Sequence, residues 1–456
     1  MNWLKALVSR KRSRPIQGSI QARRIPRSDH PISRAQFTPG TLRTLYGLKD
    51  AGYEAYVVGG GVRDLLAGQV PKDFDVATNA HPDEIRRIFR SCRLVGRRFM
   101  IAHVRWGQEV VEVTTFRGAI TDEHVRDETG RILADNQYGT LETDAFRRDF
   151  TVNALYYDIR DYSIVDFTGG LEDLQRRLIR LIGDPETRYR EDPVRMLRAV
   201  RIANKLGFAI ERETAAPIPK LAVLLREIPP ARLFDEVIKL LQCREALLNL
   251  DDLHRYGLLA HLLPVTDAAL AHEPYARFIR AALANTAERI ASDQSVSPAF
   301  LYATLLWPGV VPEYRRLTSV EGQHPNVAIV QAGETVLAQT QQHIVIPKRF
   351  SLPMREIWHL QPRFADARIG RAKRLLAHPR FRAAYDFLLL RAAAGEVPQA
   401  LADWWTQAQA GSLPPGPPPV NTQDAQASAA SAPRKRRRRR RGRGRGAGMP
   451  AEPPAE

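Results

Sequence analysis

Residues 59–80, GGGVRDLLAGQVPKDFDVATNA, hold the two patterns that decide how this chain is read. Ahead of them EAYVV reads as a strand that runs into Gly59, Gly60 and Gly61. A strand that ends in glycines and opens a helix presents free backbone N–H groups able to hold phosphate oxygens. Arg63 would add charge-assisted bonds, with Asp64 beside it. No Gly-Lys-Ser/Thr follows, so this is not a Walker loop, and GGGVRD lacks the GxGxxG spacing of a dinucleotide site. The second pattern is KDFDVAT, a further strand-like run. Side chains alternate along a strand, so Asp73 and Asp75 would share one face while Phe74 enters the core. Two carboxylates about 7 Å apart suit a pair of hard divalent cations, and Mg²⁺ takes oxygen ligands and arrives with substrate phosphates. Either pattern alone has a bland reading, a tight turn or two exposed edge-strand aspartates. Side by side they point to a phosphate-handling, metal-dependent site.

Outward from this stretch, TLRTLYGLKDAG (41–52) predicts a helix closed by Gly52, and HPDEIRRIF a helix with Pro82 in its first turn. Strand-like runs follow near 93–96, 99–106 and 109–115, then a polar stretch at 119–137 that reads as a loop. Strands and helices mix without a βαβ rhythm. From about residue 184 to 408 the pattern is helical, with no convincing strand. The fold expected is α+β, a small mixed head followed by an all-helical neck and body. The divisions read as a basic arm over 1–34, a head over 35–183, a neck over 184–250, a body over 251–410, and a Pro-rich linker with an Arg-rich tail over 411–456.

Composition narrows the classes. The chain has 456 residues, 44% of them hydrophobic, enough for full-sized cores. Two cysteines, Cys92 and Cys243, exclude a disulfide scaffold and a Cys-rich zinc module, and suit a reducing compartment. No run of about 18 apolar residues occurs, so no membrane-spanning helix is expected. The N-terminal stretch lacks the apolar core of a secretory signal; a cytosolic basic arm fits it better than a transit peptide. The net charge of +18 sits at the ends. Residues 1–34 carry nine Lys or Arg against one Asp, and 411–456 carry ten against three acids, so the region between is nearly balanced. Such ends suit a polyanion, RNA before an anionic membrane surface.

Two later motifs complete the pattern. RRDFTVNALYYD (147–158) places Arg147, Arg148, Asp149 and Asn153 close in sequence. EDPVRMLRAVRIANKLGF (191–208) sets Asp192 before Pro193 as a helix cap, with Arg195 and Arg198 on one face and Met196, Val200, Ala203 and Leu206 on the apolar one. Taken in order, the motifs resemble the class II branch of the polymerase-β-like nucleotidyltransferases, which holds tRNA CCA-adding enzymes and bacterial poly(A) polymerases. The resemblance covers about Ile25 to Trp405. It implies that Asp73 and Asp75 hold two Mg²⁺ ions, with Mn²⁺ as a substitute, about 3.5–4 Å apart. Asp149 is implied as the third catalytic carboxylate; Glu112, on VVEVTTF, competes for that place. Gly59, Gly60, Arg63, Asp64, Arg148, Asn153, Asp192, Arg195 and Arg198 are implied in nucleotide binding, Asp192 and Arg195 as readers of the base.

The head motifs do not separate poly(A) from CCA addition. CRLVGRRFMIAHV (92–104), with Arg97 and Arg98 on an RNA-facing rim, resembles an element of the poly(A) branch. Val95, Phe99, Ile101 and Val104 would be its core positions. The arginines Arg436, Arg437, Arg438, Arg439, Arg440 and Arg441 form an RNA-binding tail typical of the same branch. Trp404 and Trp405 are expected to anchor the last helix rather than stack on bases. The resemblance therefore implies template-independent transfer of AMP from ATP to RNA 3′ ends, by a monomeric enzyme of the bacterial cytoplasm that works with RNA-decay or RNA-chaperone proteins. The alternatives are a CCA-adding enzyme and a non-catalytic RNA-binding protein of the same fold.

Overall fold

The computed structural model describes residues 22–96, 99–119, 137–365 and 369–411. Its organising element is a mixed sheet of β1 (Arg23–Ile25), β2 (Ala55–Val58), β3 (Asp75–Thr78), β4 (Cys92–Val95), β5 (Ile101–Trp106), β6 (Glu109–Thr115), β7 (Leu155–Asp158) and β8 (Ile164–Asp166). The order is β1-β8-β7-β2-β3-β6-β5-β4. Only β3 and β6 pair in parallel among these neighbours. β2 and β7 are buried on both faces, so they read as apolar runs without alternation.

The two faces of the sheet serve different ends. Ala55, Val57, Val76, Leu155 and Tyr157 pack into the large core that continues into the helical half. Tyr56, Val58, Ala77, Tyr156 and Val165 form a smaller cluster on the other face with Phe116 and Ala145. Asp75 shares that second face, two residues before Ala77 on β3.

Several expectations shift in detail. The strand in KDFDVAT starts at Asp75, so Asp73 lies just ahead of it; Phe74 is buried, 7% exposed, as alternation requires. Residues 23–25, read as part of a basic arm, form the edge strand β1 on β8. Val104 is a core residue, whereas Val95, Phe99 and Ile101 are half-buried, because β4 lies at the sheet edge. A short parallel pair, Leu178–Ile179 with Ala209–Ile210, places one two-residue strand inside the helical half. That pair is too short for periodicity to reveal.

The Pro39–Asp50 helix ends before Gly52, whose φ of 87° suits glycine. Beyond the sheet, the Pro185–Glu191 helix breaks at Asp192–Pro193, and the Val194–Leu206 helix follows, closed by Gly207 in the left-handed region. Met196, Val200, Ala203 and Leu206 are buried, which leaves Arg195, Arg198, Arg201 and Lys205 on the opposite stripe. The Pro230–Leu241 helix packs against it. Helices then run to Gln409, where Trp404 and Trp405 sit in a separate core with Phe364, Phe381 and Tyr385. Among the described residues no helix is long and apolar enough to cross a membrane.

Candidate active site

The site grows from the carboxyl end of β2 and the start of β3. Val58 pairs with Asp75, and Asp75 pairs with Glu112 on β6. Neighbours in register project to the same face, so the Asp75 and Glu112 carboxylates crowd one another. Burial and Glu112 push the Asp75 carboxyl up to about 6; Arg148 opposes the rise and Asp73 adds to it. Asp75 keeps an opening to solvent at the strand mouth although protein surrounds most of its carboxylate. On the far side of Glu112, the His103 ring lies 3.6 Å away.

Gly59 supplies the space beside Asp75. Its φ of 77° and ψ of −137° exclude most other residues. A Cβ there would lie 3.6 Å from Arg148 Nη1 and 3.8 Å from Asp75 Oδ2. The missing side chain thus keeps open a gap between a cation and a carboxylate. Gly61 has a packing reason: a Cβ would meet the Phe74 ring at 2.7 Å. That contact seats the glycine turn on the loop that carries Asp73.

Arg148 is held firmly. Its Nε and Nη2 donate to Asp144 Oδ2 at 3.1 and 2.9 Å, and Nε also donates to the Tyr156 hydroxyl at 2.8 Å. Asp144 is buried. Burial alone would raise its carboxyl, but Arg148 and Arg117 outweigh that and hold it well below the usual carboxylate range. Arg188 adds backbone bonds, donating from Nη2 to the carbonyls of Arg147 and Arg148 at 3.0 and 2.6 Å.

Several residues read as ligand-facing are tied up in protein contacts. Arg63 and Asp64 form a buried pair, and Arg63 Nη1 donates to Asn153 Oδ1 at 2.6 Å. Asn153 Nδ2 donates to Asp149 Oδ1 at 3.0 Å. Asp149 Oδ2 accepts from Arg198 Nε at 2.7 Å, while Asp64 Oδ2 accepts from Lys205 Nζ at 2.6 Å. A continuous polar chain therefore runs Lys205, Asp64, Arg63, Asn153, Asp149, Arg198. Burial would raise Asp149, but Arg198, Asn153 and the Phe150 amide hold it well below the usual range. Its carboxylate is satisfied within the protein, whereas Glu112 stands directly beside Asp75.

Asp192 does not cap the following helix with its side chain. Its carboxylate instead accepts two bonds from Arg232, at 3.0 and 2.9 Å. Arg195 Nη1 donates to the Arg188 carbonyl at 2.6 Å and to Glu191 Oε2 at 3.1 Å. Sequence reasoning missed Asp144 and Arg232. The i,i+4 spacing of Asp144 and Arg148 was a usable signal; Arg232, forty residues from Asp192, gave none. Arg97, Arg98 and Arg436–Arg441 lie outside the described residues.

Asp75, raised by burial first and then by Glu112, has Asp73 close enough to add to the rise, and all three offer carboxylate oxygens, the donor type a hard divalent cation takes. Among the described residues no three such side chains already converge into an ion site.

Comparison with known proteins identifies the family. The poly A polymerase head domain matches residues 55–180, the probable RNA and SrmB-binding site of polymerase A matches 207–270, and the polymerase A arginine-rich C-terminus matches 321–443. Poly(A) polymerase I of Salmonella typhi is 46% identical over 426 residues, 91% of this chain and 92% of that one. The chain belongs to the bacterial poly(A) polymerase I family. It is a polynucleotide adenylyltransferase. The CCA-adding enzyme of Lactobacillus helveticus is 40% identical, but over 199 residues, 44% of this chain and 49% of that one. The crystal structure of the Bacillus stearothermophilus CCA-adding enzyme in complex with CTP aligns at 28% identity with a TM-score of 0.52, covering 82% of this chain and 83% of that one. The α+β fold and the family expected from the motifs are both borne out.

Proposed function

We propose that this chain adds AMP from ATP to RNA 3′ ends without a template, releasing pyrophosphate, and that Asp73, Asp75 and Glu112 form its catalytic centre. The observation that carries this reading is the single sheet face that gathers Asp75, Glu112 and the Gly59 gap under Arg148. The RNA 3′-hydroxyl attacks the α-phosphorus of ATP. A new P–O bond forms, the bond from the α-phosphorus to the α,β-bridging oxygen breaks with its electron pair leaving on pyrophosphate, and the hydroxyl proton passes to solvent. Asp73 and Asp75 would hold Mg²⁺, which when bound would supply acidification of a hydroxyl and neutralisation of phosphate charge.

The residues of the chain do the rest. Glu112 serves as third carboxylate, because Asp149 is committed to Arg198 and Asn153. Asp149 orients the site by that route. Arg148 Nη1 and the Gly59–Gly60 backbone hold the triphosphate, and Arg63 acts behind them through Asn153. Asp192 accepts from, and Arg195 donates to, the Watson–Crick edge of adenine. The stretch over 207–270, the 92–104 element and the basic ends contact RNA, and the product enters RNA turnover.

Primer extension tests the reading, with each NTP singly on an unstructured RNA and on a tRNA lacking its 3′ CCA. Long ladders with ATP alone on the plain RNA are expected. Two C and one A, added only to the tRNA, would replace this reading with CCA addition. Salt-sensitive RNA binding with no incorporation would leave a binding module.

A further inference from the structure

The sheet face that carries Asp75 is covered on one side of it and open on the other. Over β2, β7 and β8 it is closed by the cluster that holds Phe116 and Ala145. Over β6, β5 and β4 it meets solvent: Val110 is 41% exposed, and Arg93, Arg105 and Glu112 are exposed with it. Strand register carries the row that starts at the carboxylates across this open half. Asp75 pairs with Glu112, Glu112 with His103, and His103 with Arg93. Paired residues share a face. Strands lie about 4.8 Å apart, so the row from Asp75 to Arg93 spans roughly 14 Å. Arg105, opposite Val110, adds a second cation to the same face.

Two properties of these arginines point to a ligand. The first is that their charge is unspent. Arg63, Arg148 and Arg160, also in the head, are each paired with a buried aspartate. The guanidinium groups of Arg93 and Arg105 have no hydrogen-bond or ion-pair partner among the described residues. A charge that guards a sheet edge would account for Arg93 on β4, but Arg105 stands on β5, an inner strand. The second is position. Gly59 and Arg148 lie on the β2 side of Asp75, whereas Arg93 and Arg105 lie on the β6 side. In-line displacement at phosphorus sets the entering and leaving oxygens on opposite sides. With the triphosphate on the β2 side, the acceptor strand comes in over β6 and β5, where its phosphates meet the two free cations.

We infer that the open face of β6, β5 and β4 seats the last nucleotides of the RNA acceptor, with Arg93 and Arg105 on its phosphates and the terminal 3′-hydroxyl delivered to Asp75 and Glu112. This rests on the reading of those two carboxylates as part of the catalytic centre. The test uses the full-length double variant Arg93→Gln/Arg105→Gln and its counterpart Arg93→Lys/Arg105→Lys. Extension and equilibrium binding are measured on a trinucleotide and on a long unstructured RNA. The Gln pair should raise KM for both RNAs about tenfold or more, the scale for losing a hydrogen bond to a charged group. KM for ATP should not move. The salt slope of binding should fall by about 1.4, at about 0.7 for each phosphate contact on a single strand. The Lys pair keeps the charge and should keep most of that slope. A loss confined to the long RNA would put the contact upstream of the 3′ end and overturn the proposal. Unchanged affinity for both RNAs, or a rise in KM for ATP alone, would overturn it as well. Native protein that extends neither RNA would refute the catalytic reading by itself; binding needs no turnover, so the variants would still decide the role of the face.

Discussion

Gly59→Ala isolates the phosphate gap from ordinary backbone strain. The native φ of 77° and ψ of −137° are costly for alanine, about 1–3 kcal/mol. The added methyl meets nothing closer than Arg148 Nη1 at 3.6 Å and Asp75 Oδ2 at 3.8 Å, so it adds no clash in the resting enzyme. It does fill the space between them. Gly52→Ala is the control for a positive φ alone, with a φ of 87° and nothing within 4 Å of its Cβ. Each variant should lose stability, seen as a fall in its thermal melting point. Only Gly59→Ala should lose activity, by about 10²–10³ in kcat/KM for ATP, the scale for removing one preorganised charge-stabilising contact. Steady-state extension of a short RNA at several ATP concentrations, below both melting points, gives the comparison. Equal activity in the two variants would refute the assignment of the gap to substrate phosphate.

Other outcomes follow from the same geometry. Glu112→Gln should cut turnover at least a hundredfold, whereas Asp149→Asn should act largely through stability and positioning; near-normal turnover in Glu112→Gln would return the third-carboxylate role to Asp149. Asp144→Asn removes the buried anion that holds Arg148, and breaking such a pair costs about 3–5 kcal/mol; chemical denaturation reads it. The folded Asp144 carboxyl lies below its unfolded value of about 3.9, so its contribution is full above that value and drains as pH falls below it. The variant should therefore show a shallower loss of stability in acid, and an identical acid profile would count against the assigned charge. Deleting residues 434–445 should weaken RNA binding and flatten its salt dependence, while turnover at saturating RNA persists; an unchanged slope in filter binding would remove the tail from the RNA path.

The pieces of the site that were legible in the sequence are those written in local patterns. Phe74 between two aspartates, the glycines after a strand and the arginine stripe opposite Met196 and Val200 all follow from periods of two or 3.6. The partners of the charges were not legible. Arg63, next to the glycine turn, reads as a phosphate ligand, yet its guanidinium is taken by Asp64 and by Asn153, ninety residues away. Asp192 reads as a cap, and a fork from another helix claims it. Charged side chains choose partners across the fold, and a linear spacing does not record that choice. Glu112 could be named from its strand, but its place beside Asp75 depends on the parallel pairing of β3 with β6.

The polar chain from Lys205 to Arg198 begins and ends on the same helix. Seven residues separate its ends, about 10 Å along the axis. A rod fastened at one point swivels in every direction; fastened at two, it keeps only a roll about the line that joins them. That line runs nearly along the helix itself. Val194–Leu206 is thus tied to the head at two points along its polar stripe, while its opposite face is buried in the core, so tilt and roll are both opposed.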